Sequence, residues 1–374
     1  MFAPLSVACG GSTQPARPSN AAGCRETKAA SGYARAVETA RPLVRRLKEG
    51  IRAPGMSLAI AVDGEIVWSV SCGYANVKAR QPVTDDTRFR IGSVSKTLTA
   101  AALMHYVDTG TIDLDAPIER YLPSFPAHGG GITLRRLAGH LAGMRHYQTQ
   151  AEAVNRRHFD KVSASLAIFA KDPLVASPGT KFSYSSYGYD VIGAALEQAT
   201  NKSFKDLMQQ SVLKPAHLTE TTLGTAPAAH RARFYELTST GEIRVAPPID
   251  LSDRLPAGAF LSTATDLARF GAALVDGTLV KAVTTTTMFS SQKTADGKET
   301  GYGIGFEVHP SPLGPFLGHT GVVDGGAAAL LIHPQSRAAL ALTANVGFAT
   351  AASPPPPRKE TPDPPMVLLP FIRR

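Results

Sequence analysis

The chain has 374 residues, a formal net charge of +9 and a hydrophobic fraction of 43%. These values describe a globular protein of one large or two ordinary domains, and they exclude an intrinsically disordered chain. No basic run is interleaved with aromatic residues, so we predict no nucleic-acid partner. A solvated, arginine-rich surface accounts for the charge, and attraction to an anionic cell envelope is the alternative.

Residues 1–32 are predicted to lie outside the folded domain. Small residues lead to Cys9 and a Gly-, Ser- and Pro-rich stretch follows it, as in a lipoprotein signal and tether, but the basic and fully apolar regions of such a signal are missing. We therefore expect either a lipid anchor at Cys9 and an extracytoplasmic location, periplasmic or membrane-anchored, or a flexible leader on a cytoplasmic protein. No run reaches about 18 apolar residues, so no membrane-spanning helix is predicted.

The cysteines are too few and too irregularly spaced to suggest a disulfide framework. Cys9, Cys24 and Cys72 cannot all pair with one another, and their spacing matches no zinc or redox motif. We therefore do not expect disulfides to hold the fold.

The first predicted elements are a helix over Ala34–Glu49, which ends at Gly50, and a hairpin. In the hairpin, MSLAIAV and EIVWSVS flank Asp63-Gly64, a pair that adopts the positive φ angles of a tight primed turn. Further helices are predicted over Ser95–Asp108, Thr133–Leu141, Ser163–Ala170, Tyr187–Thr200 and Thr263–Leu274. Near the other end, GYGIGFEV, GGAAALLIH and AALALTANV indicate strands.

This order of elements predicts an α+β fold. Strands at both chain ends would pair in one antiparallel sheet flanked by helices, and the middle would form an inserted all-helical lobe with a cleft beside the sheet. The folded domain is expected to span residues 33–352. Prolines crowd residues 353–374, so we expect an extended or disordered tail there.

Ser93 and Lys96 stand at the start of an apolar helix in the stretch RIGSVSKTLTAAALMHYV. Residues three apart share a helix face, so the lysine can reach the serine hydroxyl. The helix start favours a developing oxyanion, and burial favours a lysine that can accept a proton. Ser-x-x-Lys recurs at Ser211–Lys214 and Ser290–Lys293, but a proline follows the first and a polar loop the second, so we interpret both as solvated surface.

Two further stretches carry reactive side chains. Tyr184 precedes a predicted helix, and a tyrosine held near a lysine can act as base toward Ser93 and as acid toward a leaving group. In LGHTGVVDGG, strand-like residues lead into His319, and Gly321 would let a substrate approach the backbone closely. In the alternative interpretation both residues are structural. Tyr184 would then pack beside a helix-capping cluster, and His319 would be a buried histidine of a strand.

Together, Ser93-x-x-Lys96, Tyr184-Ser185-Ser186 and His319-Thr320-Gly321 resemble, in order and approximate spacing, the penicillin-recognising serine hydrolases. The most similar branch comprises class C β-lactamases, D,D-peptidases and family VIII-type esterases. The stretches HLAGMRHY, PGTKFSYSSYGY and LSTATDLARFGAAL also look like that branch, especially its mitochondrial members and their bacterial relatives. The resemblance covers roughly Pro54 to Gly347 and implies a β-lactamase/transpeptidase-like fold.

The resemblance also implies a role for each residue of the three motifs. Ser93 would be the acylated nucleophile, Lys96 its general base or proton relay, and Tyr184 the partner base that also serves deacylation. The substrate-binding residues would be Ser186, His319, Thr320 and Gly321, and the oxyanion hole would be formed by the backbone N–H groups of Ser93 and Val322. Whether Lys96 or Tyr184 is the dominant base stays open, because coupled groups share their titration.

Three departures from the family pattern stand out. Ser186 replaces an asparagine whose amide both donates and accepts hydrogen bonds, so recognition of a substrate amide should weaken. His319 replaces a lysine, so binding of a substrate carboxylate should fade above about pH 6.5. The proline-rich tail should forbid the long C-terminal helix of the family.

We therefore predict a serine hydrolase that works through a Ser93 acyl-enzyme on an ester, peptide or D-amino-acid peptide, with weak β-lactamase activity at most. The alternative is a non-catalytic scaffold or self-assembling protein with the same fold, and oligomerisation is left open. Gly-x-Ser-x-Gly is absent, which excludes a typical α/β-hydrolase. His-Glu-x-x-His is also absent, so no metal or other cofactor is predicted.

Overall fold

One antiparallel sheet organises the computed structural model, which describes residues 23–224, 230–238, 240–348 and 363–372. In these parts of the chain the strands are β1 Cys24–Ala29, β2 Gly55–Val62, β3 Glu65–Asn76, β4 Gln81–Pro82, β5 Phe89–Arg90, β6 Thr222–Leu223, β7 Tyr235–Leu237, β8 Ile243–Val245, β9 Phe260–Ser262, β10 Glu307–His309, β11 Phe316–Val323, β12 Gly326–His333, β13 Ala338–Ala344 and β14 Val346–Phe348. The main sheet has the order β1-β3-β2-β13-β12-β11-β10, with β4 paired to β3. Strands from both chain ends thus meet where β2 pairs with β13, which confirms the predicted α+β fold.

Helices cover both faces of the sheet and fill the middle of the chain. Within the described residues they are α1 Ala34–Ile51, α2 Ser95–Asp108, α3 Leu134–Ala138, α4 Gln150–Ala153, α5 Val162–Ser165, α6 Ser186–Thr200, α7 Phe204–Met208, α8 Leu255–Gly258, α9 Ala264–Val275, α10 Ala282–Phe289 and α11 Pro364–Leu368. The bounds of α2 agree with the sequence prediction, whereas α3 and α5 are shorter than predicted. Helix α5 gives way to a 3-10 turn over Leu166–Ile168.

Alternation along β2 and β13 assigns their side chains to two separate cores. Ala59 and Ala61 of β2 face the core that contains α2, α6 and α9, whereas Leu58 and Ile60 face the core that contains α1 and α11. The small inward residues let α9 approach closely: a β-carbon on Gly271 would lie 2.7 Å from that of Ala339. Helix α9 is therefore packed directly on the central strands.

The β2–β3 hairpin forms as the sequence predicts. Asp63 and Gly64 have φ angles of +50° and +85°, the left-handed conformations that a primed two-residue turn requires. The strands on either side of the turn are almost wholly buried because layers cover both faces of the sheet.

The start of the domain differs from the prediction. Residues 24–29, which we expected to belong to a flexible leader, form edge strand β1, and Cys24 is joined to Cys72 of β3 by a disulfide. The two cysteines lie directly opposite each other in the strand register, 48 residues apart in sequence. Our expectation that no disulfide holds the fold was wrong, because pairing depended on a strand register that spacing alone did not reveal. The predicted lipid site, Cys9, lies outside the described residues.

The end of the chain also differs from the prediction. Residues 364–368 form helix α11, and Pro364 and Pro365 occupy its first turn, where a missing N–H costs no helical hydrogen bond. A 3-10 turn follows, and its Phe371 stacks on Trp68 at a ring-centroid distance of 5.8 Å. Part of the predicted extended tail therefore covers the outer face of the sheet, while residues 353–362 and 373–374 lie outside the described part of the chain.

Candidate active site

Ser93 lies at the start of the helix that carries Lys96. It belongs to a 3-10 turn, Gly92–Val94, that runs directly into α2. Three residues later the Lys96 side chain is fully buried, and its Nζ donates a hydrogen bond to Ser93 Oγ at 3.0 Å. The structure therefore brings the predicted nucleophile and base within direct proton-transfer distance.

Two more acceptors hold the Lys96 amine. Its Nζ donates to Ser186 Oγ at 3.1 Å and to the backbone oxygen of Ala257 at 2.9 Å. A carbonyl oxygen can only accept, so one N–H of Lys96 always points to Ala257. Ala257 could not be identified from the sequence, because a backbone oxygen carries no side-chain signature.

Tyr184 completes the contacts around the Ser93 hydroxyl. Its own hydroxyl donates to Ser93 Oγ at 2.9 Å, and Lys96 Nζ lies 5.1 Å from the centre of its ring. The residue precedes α6, whose N-cap Ser185 accepts a hydrogen bond from the backbone of Gly188. The cap fixes the start of α6 and so places Tyr184 and Ser186 on either side of the lysine.

Strand β11 forms the opposite wall of the site. A β-carbon on Gly321 would lie 2.0 Å from the Ile91 oxygen and 2.9 Å from the Ser93 nitrogen, so only glycine permits this approach. The backbone nitrogen of Val322 would lie 2.9 Å from a β-carbon on Gly92. The two predicted oxyanion-hole residues, Ser93 and Val322, are thus neighbours in the structure.

Thr320 and His319 point in opposite directions from β11. Thr320 is exposed, whereas His319 is buried beside Tyr184, with a ring-centroid distance of 6.2 Å. Burial, followed by the charge of Lys96, lowers the pKa of His319 to about 3. His319 therefore stays neutral at physiological pH, and our prediction that its protonation near pH 6.5 governs carboxylate binding was wrong.

Two other histidines contact Tyr184, and we did not single them out from the sequence. The rings of His140 and His146 lie 4.3 and 5.4 Å from its ring. His146 Nδ1 accepts a hydrogen bond from the backbone of Ser186, and burial together with nearby cations, first Lys96, lowers its pKa to about 4. Both histidines lie in HLAGMRHY, so this supporting stretch contained the signal.

The other Ser-x-x-Lys copies stand apart from the site. Ser290 is exposed, as predicted, and its hydroxyl bonds to the backbone of Thr286. Ser211 is buried, contrary to our prediction of solvated surface, because the helical turn around it packs into the core and its hydroxyl bonds to Leu207.

Within the described residues, no cluster of three or more His, Cys, Asp or Glu side chains could hold a metal ion. In the same part of the chain, no helix is long and apolar enough to cross a bilayer.

A sheet built from both chain ends, with a Ser-x-x-Lys helix and a tyrosine converging on one serine, defines the class of penicillin-binding and β-lactamase-like proteins. Comparison with known families agrees with this class. The chain belongs to the β-lactamase family, whose model matches residues 40–359.

Individual relatives include enzymes and proteins of other descriptions. The chain is 31% identical over 314 residues to the human mitochondrial serine β-lactamase-like protein LACTB, covering 66% of this chain and 57% of that one. It is 25% identical to penicillin-binding protein 4* of Bacillus subtilis strain 168, covering 76% and 66% of the two chains. A D-amino acid amidase from Ochrobactrum anthropi SV3 superposes with a TM-score of 0.72 at 26% identity, covering 83% and 93%. The chain therefore spans less than two thirds of its mitochondrial relative.

Proposed function

We propose that this protein is a serine hydrolase that forms an acyl-enzyme at Ser93 from a neutral ester or amide, including D-amino-acid derivatives and peptides. The observation that carries the proposal is the position of Ser93 Oγ, 3.0 Å from Lys96 Nζ and 2.9 Å from the Tyr184 hydroxyl. A nucleophile, a base and a proton donor are the groups that acyl transfer requires. The family's serine hydrolases support the reaction class.

In acylation, Lys96 acts as the general base. Two N–H groups then stay on Ala257 O and Ser186 Oγ, and the lone pair faces Ser93. Lys96 takes the Ser93 proton as Oγ bonds to the substrate carbonyl carbon, and the Tyr184 hydroxyl donates its proton to the departing alcohol or amine. In deacylation, water gives a proton to the Tyr184 phenolate as its oxygen bonds to the acyl carbon, and Lys96 returns its extra proton to Ser93 Oγ as the bond between Oγ and the acyl carbon breaks.

The oxyanion of each tetrahedral intermediate would bind the N–H groups of Ser93 and Val322. Their neighbouring backbones approach closely only because glycine occupies positions 92 and 321. Donors fixed in advance by backbone packing stabilise such charge effectively, because they need not reorganise during the reaction. Val322 is also 53% exposed, so its side chain would contact a bound acyl group.

The neutral state of His319 supports the choice of substrate class. The family commonly places a lysine cation at this position, whereas burial and Lys96 keep His319 uncharged. A substrate carboxylate would gain no ionic partner from this residue. We therefore infer a preference for esters and amides over β-lactams and peptides with a free carboxylate.

Intact-protein mass spectrometry tests the proposed acyl-enzyme. The protein would be incubated with a p-nitrophenyl ester, benzylpenicillin or a fluorophosphonate, alongside Ser93→Ala and the matched control Ser290→Ala. We expect an adduct and ester turnover in the parent and in S290A, and neither in S93A, because S290A removes an exposed serine of the same motif. Labelling that persists in S93A would contradict the proposal, and no labelling of the parent would favour a scaffold.

We also propose an extracytoplasmic location. The Cys24–Cys72 disulfide supports it, because disulfides persist mainly in oxidising compartments. Alkylation of protein trapped directly from its cells should modify Cys24 and Cys72 only after reduction. Modification of both cysteines before reduction would contradict this location.

A further inference from the structure

His140 occupies a left-handed backbone position behind Tyr184. Its φ angle is +59°, a conformation that is uncommon for residues other than glycine, although histidine adopts it more readily than most. The side chain is 2% exposed, and Nδ1 accepts a hydrogen bond from the backbone N–H of Ser185 at 3.1 Å. Because Nδ1 accepts, the proton of the neutral ring resides on Nε2, which is a buried donor.

His319 has the opposite tautomer. Its Nδ1 lies 2.5 Å from the backbone oxygen of Thr320, and a carbonyl oxygen can only accept. The ring proton therefore resides on Nδ1, and Nε2 presents a lone pair. The side chain is 4% exposed, so this acceptor is also buried.

The two rings flank the same pair of tyrosines. His140 lies 4.3 Å from Tyr184 and 4.7 Å from Tyr302, and His319 lies 6.2 and 5.8 Å from the same rings. Among the described residues, neither Nε2 atom has an assigned hydrogen-bond partner. One is a donor and the other an acceptor, and leaving either unpaired in the interior is costly.

We propose that His140 and His319 form a neutral pair bridged by one buried water, which accepts from His140 Nε2–H and donates to His319 Nε2, and that this pair holds the Tyr184 hydroxyl against Ser93. The pair acts through Tyr184, so both histidines are positioning residues. It replaces the single lysine that the family commonly has on β11. The site thereby gains rigidity behind Tyr184 without a second buried lysine beside Lys96.

Nitrogen-15 NMR of histidine-labelled protein tests the pair without any substrate. We expect His140 in the Nε2–H tautomer and His319 in the Nδ1–H tautomer, both unchanged between about pH 5 and about pH 9. The His140 Nε2–H resonance should be protected from exchange and should move or vanish in His319→Asn. The reverse tautomer at either ring, or a His140 resonance indifferent to H319N, would overturn the proposal.

Steady-state kinetics tests the positioning role, and this arm rests on the proposed function because it needs turnover. Asparagine at position 140 keeps an acceptor near Nδ1 but loses Nε2, whereas His140→Gln extends an amide donor toward Nε2. We expect H140N and H319N each to lower kcat about tenfold with little change in KM, the double variant to lose no more, and H140Q to recover most of kcat. His333→Asn, a buried histidine elsewhere on the sheet, should keep the parental kcat.

The outcomes separate the two proposals. Independent, multiplicative losses in H140N and H319N, or an H140Q variant as slow as H140N, would overturn the pair. If the parent protein turns over no ester, the proposed function fails, and the NMR result still decides whether the pair exists.

Discussion

At the scale of single residues, Asp190 is a buried acid that the proposed chemistry does not use. It lies on α6 one turn beyond Ser186, is fully buried, and has no assigned partner for either carboxylate oxygen within the described chain. Burial, reinforced by Asp253, raises its pKa well above the usual value, although Arg254 and Lys96 oppose the shift. Asp190 is therefore protonated in the folded protein at pH values where the unfolded chain has it ionised.

This shift makes folding stability depend on pH in a definite direction. A raised pKa contributes stability that is fully present below about pH 3.9, the unfolded value, and is lost as pH rises toward the folded value. We expect Asp190→Asn to remove this loss, so that the variant is about 1–3 kcal/mol more stable than the parent at pH 8 and nearly equal to it at pH 4. Urea unfolding at both pH values measures the difference.

The exposed Asp86 provides the control for this comparison, because Asp86→Asn should change stability by less than about 0.5 kcal/mol at either pH. A D190N variant that is less stable at both pH values would show instead that Asp190 is ionised and paired with a cation such as Arg254.

His319 shows which property of a single residue could not be predicted from the sequence. The motif order predicted that Ser93, Lys96, Tyr184 and His319 converge, because order and spacing are properties of the chain itself. It did not predict the charge state of His319, which depends on burial and on the distance to Lys96 in the folded protein. The tertiary environment of a side chain sets its pKa, and a sequence motif does not record that environment.

At the scale of elements, the 3-10 turn after the last helix covers the sheet with one aromatic side chain. Phe371 is buried and stacks on Trp68 of β3 and on Tyr33 beside α1. We expect Phe371→Ala to lower the free energy of unfolding by about 3–5 kcal/mol, as for other buried phenylalanines. Chemical denaturation followed by circular dichroism measures this loss.

The matched control lies in the helix that precedes this turn. Met366 of α11 is 47% exposed, so Met366→Ala should change the free energy of unfolding by less than about 0.5 kcal/mol. Equal and small effects at both positions would mean that α11 and the turn after it do not stabilise the sheet in solution.

Local signals predicted some elements and missed others for a common physical reason. The Asp63-Gly64 turn and helix α2 follow from residues adjacent in sequence, so their patterns could be recognised directly. Strand β1 and the 3-10 turn after α11 are short, and they contact β3 through Cys72 and Trp68 respectively. Contacts between distant parts of a chain are not visible in a local pattern.

At the scale of the whole molecule, the central strands join the candidate active site to the opposite layer. Ala59 and Ala61 of β2 pack toward the helices of the site, while Ile60 packs toward the layer that contains Trp68. The two helical layers pack on opposite faces of the same strands. If either layer detached, it would expose one apolar face of strands on which the other layer also packs. We therefore expect the two layers to unfold together.

Trp68, the only tryptophan in the chain, makes this expectation measurable. Its fluorescence reports the layer of α1 and α11, and fluorophosphonate labelling of Ser93 reports the other side of the sheet. The two urea transitions should coincide, because cooperative unfolding gives the same midpoint for every probe. If Trp68 became exposed at a lower urea concentration than the one that abolishes labelling, the outer layer would be an independent unit. Phe371→Ala distinguishes these cases. Phe371 belongs to the core on the far side of the sheet from Ser93. In a cooperative molecule, a substitution in that core must still lower the urea midpoints of Trp68 fluorescence and of Ser93 labelling equally.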